Sequence, residues 1–90
     1  MVTAFVLINV EDKKLKDLAG RLLAHSGVKE VYVVAGEYDM VAVLRVPDNR
    51  QLSDLITEKI IHTPGVQRTK TLFALEAHSP YDLAKAFGVA

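Results

Sequence analysis

The spacing of apolar residues along this chain changes twice from the period of a strand to the period of a helix. This double change limits the folds that the chain can adopt. Val2 to Val10 is rich in β-branched and aromatic residues, which is typical of a strand. Asp12 then offers a helix cap, and Gly27 ends the helix because glycine readily adopts the left-handed conformation. Between them, one apolar stripe at helical spacing consists of Leu15, Leu18, Ala19, Leu22 and Leu23.

The next segment predicts a β-hairpin. Val28 to Ala35 and Met40 to Val46 are apolar runs, and Gly36-Glu37-Tyr38-Asp39 forms the turn between them. Strands that are joined by so short a connection pair in an antiparallel manner. The second and third strands of the chain are therefore expected to be neighbours.

A second helix and a fourth strand follow. Pro47-Asp48-Asn49 breaks the third strand and offers a helix cap, and Thr63-Pro64-Gly65 ends the helix. The apolar stripe between them consists of Leu52, Leu55, Ile56 and Ile60. Val66 to Ala77 is the predicted fourth strand. In the tail 80–90, a short helix is expected over Pro80, Leu83, Ala84 and Phe87.

The order of elements is therefore β-α-β-β-α-β, and a weak internal repeat supports it. His25-Ser26-Gly27-Val28 and His62-Thr63-Pro64-Gly65-Val66 occupy the same place in each half, between a helix and a strand. Two interleaved, right-handed βαβ units give a ferredoxin-like split βαβ sandwich. We predict a single α+β domain over residues 1–90. Strands one and three lie in the centre of an antiparallel four-stranded sheet, and both helices cover one face.

The predicted strands carry apolar residues on both faces of the sheet, although two helices can cover only one. A sheet with one solvated face would alternate apolar and polar residues. In the first strand, Val6 and Ile8 point to one face of the sheet and Phe5 and Leu7 point to the other. In the second strand, Val31 and Val33 point away from Tyr32 and Val34. In the third, Met40, Ala42 and Leu44 point away from Val41 and Val43. We expect a second copy to cover the helix-free face, which gives a dimer through the sheet. The alternative is that valine-rich strands only reflect β-propensity.

Composition excludes several classes of function. The 11 Lys and Arg residues balance 11 Asp and Glu residues, so the net charge is zero and no generic basic surface for nucleic acid or membrane is predicted. The absence of cysteine excludes disulfides and thiolate chemistry. No signal peptide or membrane span is predicted, and we expect a cytoplasmic protein.

The sequence also lacks catalytic and metal-binding motifs. His25, His62 and His78 lie far apart without metal-ligand spacing, and the first two fall at helix C-termini, where the helix dipole favours a histidine. No nucleophile motif surrounds any serine, and Gly36 lacks the companion residues of a phosphate-binding loop. We therefore expect no catalytic residue, no metal, no cofactor and no enzymatic activity.

The hairpin turn is the first candidate binding site. Asp39, when ionised, is a pure acceptor that can receive an ammonium group or backbone amides. Gly36 lets another backbone or a ligand approach closely. Both residue types are also common turn formers for local reasons. Taken alone, the residues favour that turn chemistry over a ligand site.

Thr69 and Thr71 form a second polar spot, on the predicted fourth strand. They share a face with Phe73, and Arg68 and Lys70 point the other way. We expect the threonine face to meet a partner, where the hydroxyls would hydrogen-bond a ligand held between subunits. The alternative is a solvated edge strand on which Lys70 prevents mispairing.

Two segments together resemble a known family. The pattern Val31-x-x-Val34-x-Gly36-x-Tyr38-Asp39-Met40, followed after a helix by Pro64-Gly65-Val66-x-x-Thr69-x-Thr71, resembles the effector domain of the leucine-responsive/asparagine-responsive (Lrp/AsnC) transcription regulators. This domain is called RAM, for regulation of amino acid metabolism, and the resemblance covers Thr3 to Ala77. It implies a ferredoxin-like fold, dimers joined through their sheets, octamers or similar rings, and a small amino-acid effector bound between subunits.

The resemblance also implies which residues bind the effector. In the family the Gly-x-Tyr-Asp hairpin lines the site, which corresponds here to Gly36, Tyr38 and Asp39. The hydroxyls after Pro-Gly-Val correspond to Thr69 and Thr71.

Full-length members of the family begin with a helix-turn-helix DNA-binding domain, whereas the first strand of this sequence begins at Val2. The sequence therefore resembles a stand-alone RAM protein without direct DNA binding. Two other functions stay open: a structural adaptor that co-assembles with a full-length regulator, and a small ferredoxin-like dimeric enzyme. The ACT-type domain, which also binds amino acids at a subunit interface, is the nearest rival family.

Overall fold

A computed structural model describes residues 1–80. Its elements, in chain order, are β1 (Val2–Val10), α1 (Leu15–Leu23), β2 (Val28–Val33), β3 (Met40–Val46), α2 (Asn49–Asp54), a π-helical segment (Leu55–Ile60) that continues α2, and β4 (Val66–Phe73). The predicted order β-α-β-β-α-β is therefore confirmed. The predicted tail helix falls almost entirely on residues 81–90, which lie outside the described part of the chain.

The four strands form one antiparallel sheet in the order β2-β3-β1-β4. This order confirms that β1 and β3 are central and that β2 and β4 are the edges. Val6 lies opposite Ala42 on β3 and opposite Thr71 on β4, which fixes the register of the three strands. The pairing between β1 and β4 shifts at Asn9 and Val10, where a β-bulge interrupts the ladder.

The hydrophobic core lies between the sheet and the helices. Every second residue of the central strands points into it, as their alternation predicts. The completely buried side chains of this core are Ala4, Val6, Ile8, Leu18, Leu22, Met40, Ala42, Leu44 and Ile60. Each large aliphatic side chain so buried stabilises the fold by about 1.5–3 kcal/mol. The face of the sheet that carries the helices is called the helix face below.

The first helix begins later than the sequence predicts. Its N-cap is Lys14, which has no side-chain capping bond, and Asp12 instead accepts a hydrogen bond from the Lys14 N–H at 3.2 Å through Oδ1. Leu23, which we placed on the buried stripe, is 48% exposed. Consecutive helical residues lie about 100° apart, and Leu22 already takes the position that faces the core.

The second helix is capped as predicted but does not stay α-helical. Asp48 accepts the Gln51 N–H at 2.8 Å, and the π segment closes with the Ile61 N–H bonded to the Ile56 carbonyl, five residues back. In an α-helix, residues five apart point about 140° away from each other. The wider π turn brings them closer to one side, which allows Leu55 and Ile60 to be buried together.

Gly27 allows the α1–β2 turn to approach the rest of the domain. Its φ is +101°, and a Cβ at this position would lie 2.8 Å from side-chain atoms of both Leu55 and Val46. Its carbonyl accepts the Arg45 N–H at 2.9 Å. The glycine that we predicted from helix termination therefore also fixes the turn against β3.

The sheet face opposite the helices is called the open face. The register places on it the apolar residues Phe5, Leu7, Tyr32, Val41, Val43 and Leu72. Phe5, Tyr32 and Leu72 are exposed, whereas Val43 is nearly buried within the single chain. The predicted two-sided apolar sheet is therefore confirmed. Among the described residues, no helix is long and apolar enough to cross a membrane.

Candidate functional site

The loop between β2 and β3 is closed by its own backbone. The Val34 N–H donates to the Asp39 carbonyl at 2.9 Å, which draws the two ends of the loop together. Gly36 lies at the exposed tip with φ at +137°, and a Cβ there would meet no atom within 4 Å. The glycine is therefore required for its backbone conformation, and the space beside it is open to a ligand or to another chain.

Hydrogen bonds attach this loop to the end of β1. The Asp39 N–H donates to the Ile8 carbonyl at 2.9 Å, and Asp39 Oδ2 accepts the Val10 N–H at 2.8 Å. The Asn9 side-chain amide donates to the Glu37 carbonyl, also at 2.9 Å. The Asp39 carboxylate thus binds the backbone at the bulge, where the β1–β4 pairing shifts. The loop is held in place by the central strand and not only by its own hairpin.

Asp39 has acceptor capacity beyond this structural contact. An ionised carboxylate offers about four acceptor positions on its two oxygens, and the Val10 N–H takes one of them. Asp39 and Tyr38 are both half-buried. The turn role and the ligand role of Asp39 are therefore compatible, since one oxygen fixes the loop and the other can receive a cationic group.

The structure corrects the predicted face of Thr69 and Thr71. They pair with Ile8 and Val6, whose side chains are fully buried beneath the helices, so both threonines lie on the helix face. We expected their face to be the one that meets a partner through the sheet. The open face of β4 instead carries Arg68, Lys70 and Leu72, because alternation along β4 is set by its register with β1.

The five predicted site residues do not converge within one chain. Gly36, Tyr38 and Asp39 share the loop, whereas β1 separates this loop from β4. Two inter-strand spacings, about 10 Å in total, therefore lie between the ends of β3 and β4. Asn9, which anchors the loop, was not among the residues predicted from the sequence. Its signal was a lone amide in a strand whose other residues, apart from Thr3, are apolar.

Two surface grooves lie elsewhere on the domain, and neither is lined by any of the five residues. The first, called the basic groove, has a volume of about 430 Å³ and includes Lys29, Arg45 and Lys59. The second, called the histidine groove, includes His25, His62 and Thr63. Within residues 1–80, no group of three potential ligands is arranged to hold a metal ion.

The histidine groove contains a contact between the two halves of the internal repeat. His25 Nε2 lies 3.0 Å from Thr63 Oγ1, and the Thr63 hydroxyl donates its proton to the Lys59 carbonyl at 2.7 Å. Because a hydroxyl has only one proton to donate, Thr63 accepts from His25, which assigns the proton to Nε2. This contact joins the two helix–strand turns and gives His25 a structural role.

Tyr32, at the β2 edge of the open face, is the one residue within 1–80 whose pKa clearly departs from its ordinary value. The Tyr32 hydroxyl donates to Glu30 Oε2 at 2.7 Å. This hydrogen bond, together with the charge of Glu30, raises the pKa of Tyr32 above its ordinary value of 10.0. Both side chains are exposed. The pair marks the β2 edge of the open face.

The fold and the loop define a class of protein: a small split βαβ domain with an apolar open face and a Gly-x-Tyr-Asp loop anchored at one end of its sheet. The family described as the Lrp/AsnC ligand binding domain matches residues 3–83. The chain belongs to this family.

Relatives agree with this assignment. The HTH-type transcriptional regulator FL11 of Pyrococcus abyssi (strain GE5 / Orsay) is 35% identical over 75 residues, which is 83% of this chain and 49% of FL11. The chain thus spans about half the length of the curated relatives it matches. These relatives are transcription regulators.

Solved structures show the same fold. The crystal structure of TTHA0845 from Thermus thermophilus has a TM-score of 0.80 and 40% identity, and covers 88% of this chain and 99% of that chain. A feast or famine regulatory protein of M. tuberculosis, complexed with L-methionine, has a TM-score of 0.73 and 34% identity. This second match covers 89% of the present chain and 54% of the mycobacterial one.

Proposed function

We propose that this protein is a regulatory module that binds a small amino acid at the boundary between subunits, and whose assembly responds to that ligand. The observation that carries the proposal is the Gly-x-Tyr-Asp loop, anchored to β1 through Asp39 and open at Gly36. The M. tuberculosis relative complexed with L-methionine supports an amino acid as the ligand class.

The chemistry of the loop suits the two charged ends of an amino acid. The ammonium group would lie near Asp39, on the carboxylate oxygen that does not hold Val10. The carboxylate would lie near the backbone amides around Gly36, where the absence of a side chain leaves room. Tyr38, half-buried beside Asp39, would border the ligand.

A neighbouring subunit would have to complete this site. The space beside Gly36 is open in the single chain, and small-molecule sites usually enclose most of their ligand. Thr69 and Thr71 lie on the helix face and are separated from the loop by β1. Their hydroxyls would therefore contribute from another copy. Ligand binding across such a boundary would shift the equilibrium between assembly states that differ in affinity.

The dimer is proposed to form through the open face. Its exposed apolar residues, Phe5, Tyr32 and Leu72, come from three different strands of one surface. A contiguous apolar patch of this kind is typical of an interaction site. Covering it with the same face of a second copy gives a self-complementary twofold interface. Further association of dimers into an octamer or a similar ring would bring the loops to subunit boundaries.

We assign no enzymatic activity and no direct DNA binding to these residues. The relatives are transcription regulators, and the matched family is that of their ligand-binding part. The domain is matched over 99% of the TTHA0845 chain and over 54% of the M. tuberculosis chain, so it occurs in solved chains of different length. Because the domain is shared with longer regulators, co-assembly with a full-length regulator is the second candidate function. Capture of such a regulator from lysate, with no response to any amino acid, would favour it.

The direct test is a thermal-shift screen of the twenty amino acids on the purified protein, repeated with Asp39→Asn. Asparagine keeps a carbonyl oxygen for the Val10 N–H but removes the charge that would bind an ammonium group. The expected result is stabilisation by one or a few amino acids that is lost in Asp39→Asn. Asp17→Asn, which removes a charge from the exposed side of α1, is the control and should still respond. A folded oligomer that responds to no amino acid would refute the proposal.

A further inference from the structure

The basic groove lies at the opposite end of β3 from the Gly-x-Tyr-Asp loop. The loop precedes Met40, whereas the groove is bounded by Arg45, Val46 and Pro47 at the end of the strand. Seven residues of extended strand separate them, a distance of about 20 Å. The other walls come from the α1–β2 turn, α2 and the π segment. The groove is thus distinct from the proposed amino-acid site.

The charges around the groove are unbalanced. Lys29 and Lys59 line it with one carboxylate, Asp54. Arg45 contributes its backbone beside Gly27, because its pairing with Thr3 places its side chain on the open face. Asp54 lies 4.0 Å from Arg50 on its own helix, and within residues 1–80 no carboxylate lies within ion-pair distance of either groove lysine. The whole chain has zero net charge. The groove thus carries two lysines and one carboxylate, although the charges of the whole chain balance.

The backbone that forms one wall of the groove is firmly held. Arg45 donates its N–H to the Gly27 carbonyl, and Gly27 is packed so tightly that a Cβ would lie 2.8 Å from Leu55 and Val46. Lys59 belongs to the π segment, and π-helical turns occur frequently at functional sites. The positions from which the cations extend are therefore fixed by the fold before any ligand arrives.

The groove is also lined by neutral hydrogen-bond donors and by apolar side chains. Ser26 and Gln51 supply a hydroxyl and a side-chain amide, and Val46, Pro47 and Leu55 supply apolar surface. Two ammonium groups with nearby neutral donors match an oxyanion such as a phosphate group. The volume of about 430 Å³ is that of a small-molecule site rather than a single-ion site.

We propose that the basic groove binds the phosphate group of a small phosphorylated metabolite, as a second ligand site separate from the Gly36–Asp39 loop. Lys29 and Lys59 approach the groove from β2 and from the π segment, so an anion between them would bridge the sheet and the helical layer. Such a ligand would stabilise the packing of the π segment on the sheet. Binding should weaken as salt increases, because exposed charges are screened within about 10 Å at 0.1 M ionic strength.

Pyrophosphate is the probe, measured by calorimetry and by amide chemical shifts in the intact protein. The variant Lys29→Gln/Lys59→Gln removes two groove cations, whereas Lys13→Gln/Lys16→Gln removes two exposed lysines near the start of α1 and leaves the groove intact. We expect binding to fall by about tenfold for each groove lysine and to be unchanged in the control. The amides of Ser26, Gly27 and Gln51 should shift, and that of Gly36 should not.

Two outcomes would overturn the proposal. If pyrophosphate produces no heat and no shifts at millimolar concentration, or if both double variants lose binding equally, the groove is not an anion site. If a duplex oligonucleotide binds through Lys29 and Lys59 while pyrophosphate does not, the groove serves a nucleic-acid backbone instead of a metabolite. Neither outcome depends on whether an amino acid binds at Asp39.

Discussion

The Asp39 carboxylate accepts the backbone N–H of Val10 at 2.8 Å, 29 residues away in sequence. This bond joins the loop between β2 and β3 to the place where the pairing of β1 with β4 shifts. One side chain therefore sets the position of the candidate site and provides its negative charge. The two roles can be separated because asparagine keeps the first and loses the second.

Asp39→Ala should destabilise the protein more than Asp39→Asn does. Alanine leaves the Val10 N–H, a part-buried donor, without its side-chain acceptor, which costs about 1–3 kcal/mol in the free energy of unfolding. Asparagine retains an acceptor oxygen and should cost clearly less. Urea denaturation measures both variants at equal protein concentration. Equal loss in the two variants would mean that charge, and not the hydrogen bond, holds the loop.

Gly36→Ala should cost about 1–3 kcal/mol in the free energy of unfolding, because its φ of +137° lies in a region that residues with a side chain rarely adopt. No steric clash contributes, since a Cβ there meets no atom within 4 Å. Gly20→Ala is the matched control, because it lies within α1 with equally open space. That substitution should stabilise the protein by about 0.5–1 kcal/mol. Thermal denaturation that shows the same sign for both would contradict the strained loop.

Thr63→Val should destabilise the protein by about 1–3 kcal/mol, because it removes both the bond to the Lys59 carbonyl and the acceptor for His25. Thr63 is only 5% exposed, so water cannot replace the lost partners. Thr57→Val removes a comparable bond, to the Ser53 carbonyl, on an exposed surface and should cost much less. Similar losses in chemical denaturation would show that the contact between the two turns contributes little.

Glu30→Gln should lower the pKa of Tyr32 toward 10.0, because it removes the charge that holds the phenol protonated. A raised pKa in the folded state favours folding fully below the unfolded value near 10 and loses that contribution as pH rises through the folded value. Tyrosine absorbance during an alkaline titration, with Tyr32→Phe subtracted, measures the shift. An unchanged Tyr32 titration in Glu30→Gln would contradict the role of the Glu30 charge.

Leu72→Glu should prevent self-association, because it places a charge on the open face at a residue that is 45% exposed. Leu23→Glu is the control: Leu23 is 48% exposed, but it lies on α1 and not on the sheet. Light scattering coupled to size exclusion should show a smaller native mass for Leu72→Glu alone. Two variants with identical mass, both at the monomer or both assembled, would exclude the open face as the interface.

The fold was largely predictable because local pattern and global topology agree. Val2 to Val10 and Met40 to Val46 are the strands that the sequence predicts, residue for residue, since each is bounded by polar or turn-forming residues. The other two strands end earlier than predicted, at Val33 and Phe73. Both are edge strands, and past each end one backbone bond follows, from the Val34 N–H to the Asp39 carbonyl and from the Ala74 N–H to the Thr3 carbonyl.

The features that the sequence did not predict depend on tertiary register. The faces of Thr69 and Thr71 follow from their pairing with Ile8 and Val6, and a shift of one residue would reverse them. The spacing of apolar residues does not distinguish the π segment from an α-helix, because Leu52, Leu55, Ile56 and Ile60 also fit an ordinary α-helical stripe. The role of Asn9 appears only when β1 and the loop are adjacent.

In the proposed function, an amino acid binds at the Asp39 loop only when a second subunit completes the site. This dependence on a second subunit can be measured by native mass spectrometry of the assembled protein with the amino acid that the thermal-shift screen selects. We predict that the amino acid is retained by the wild-type oligomer and is absent from the folded Leu72→Glu monomer at the same concentration. An equally occupied monomer, or an oligomer that retains none of the twenty amino acids, would contradict the claim.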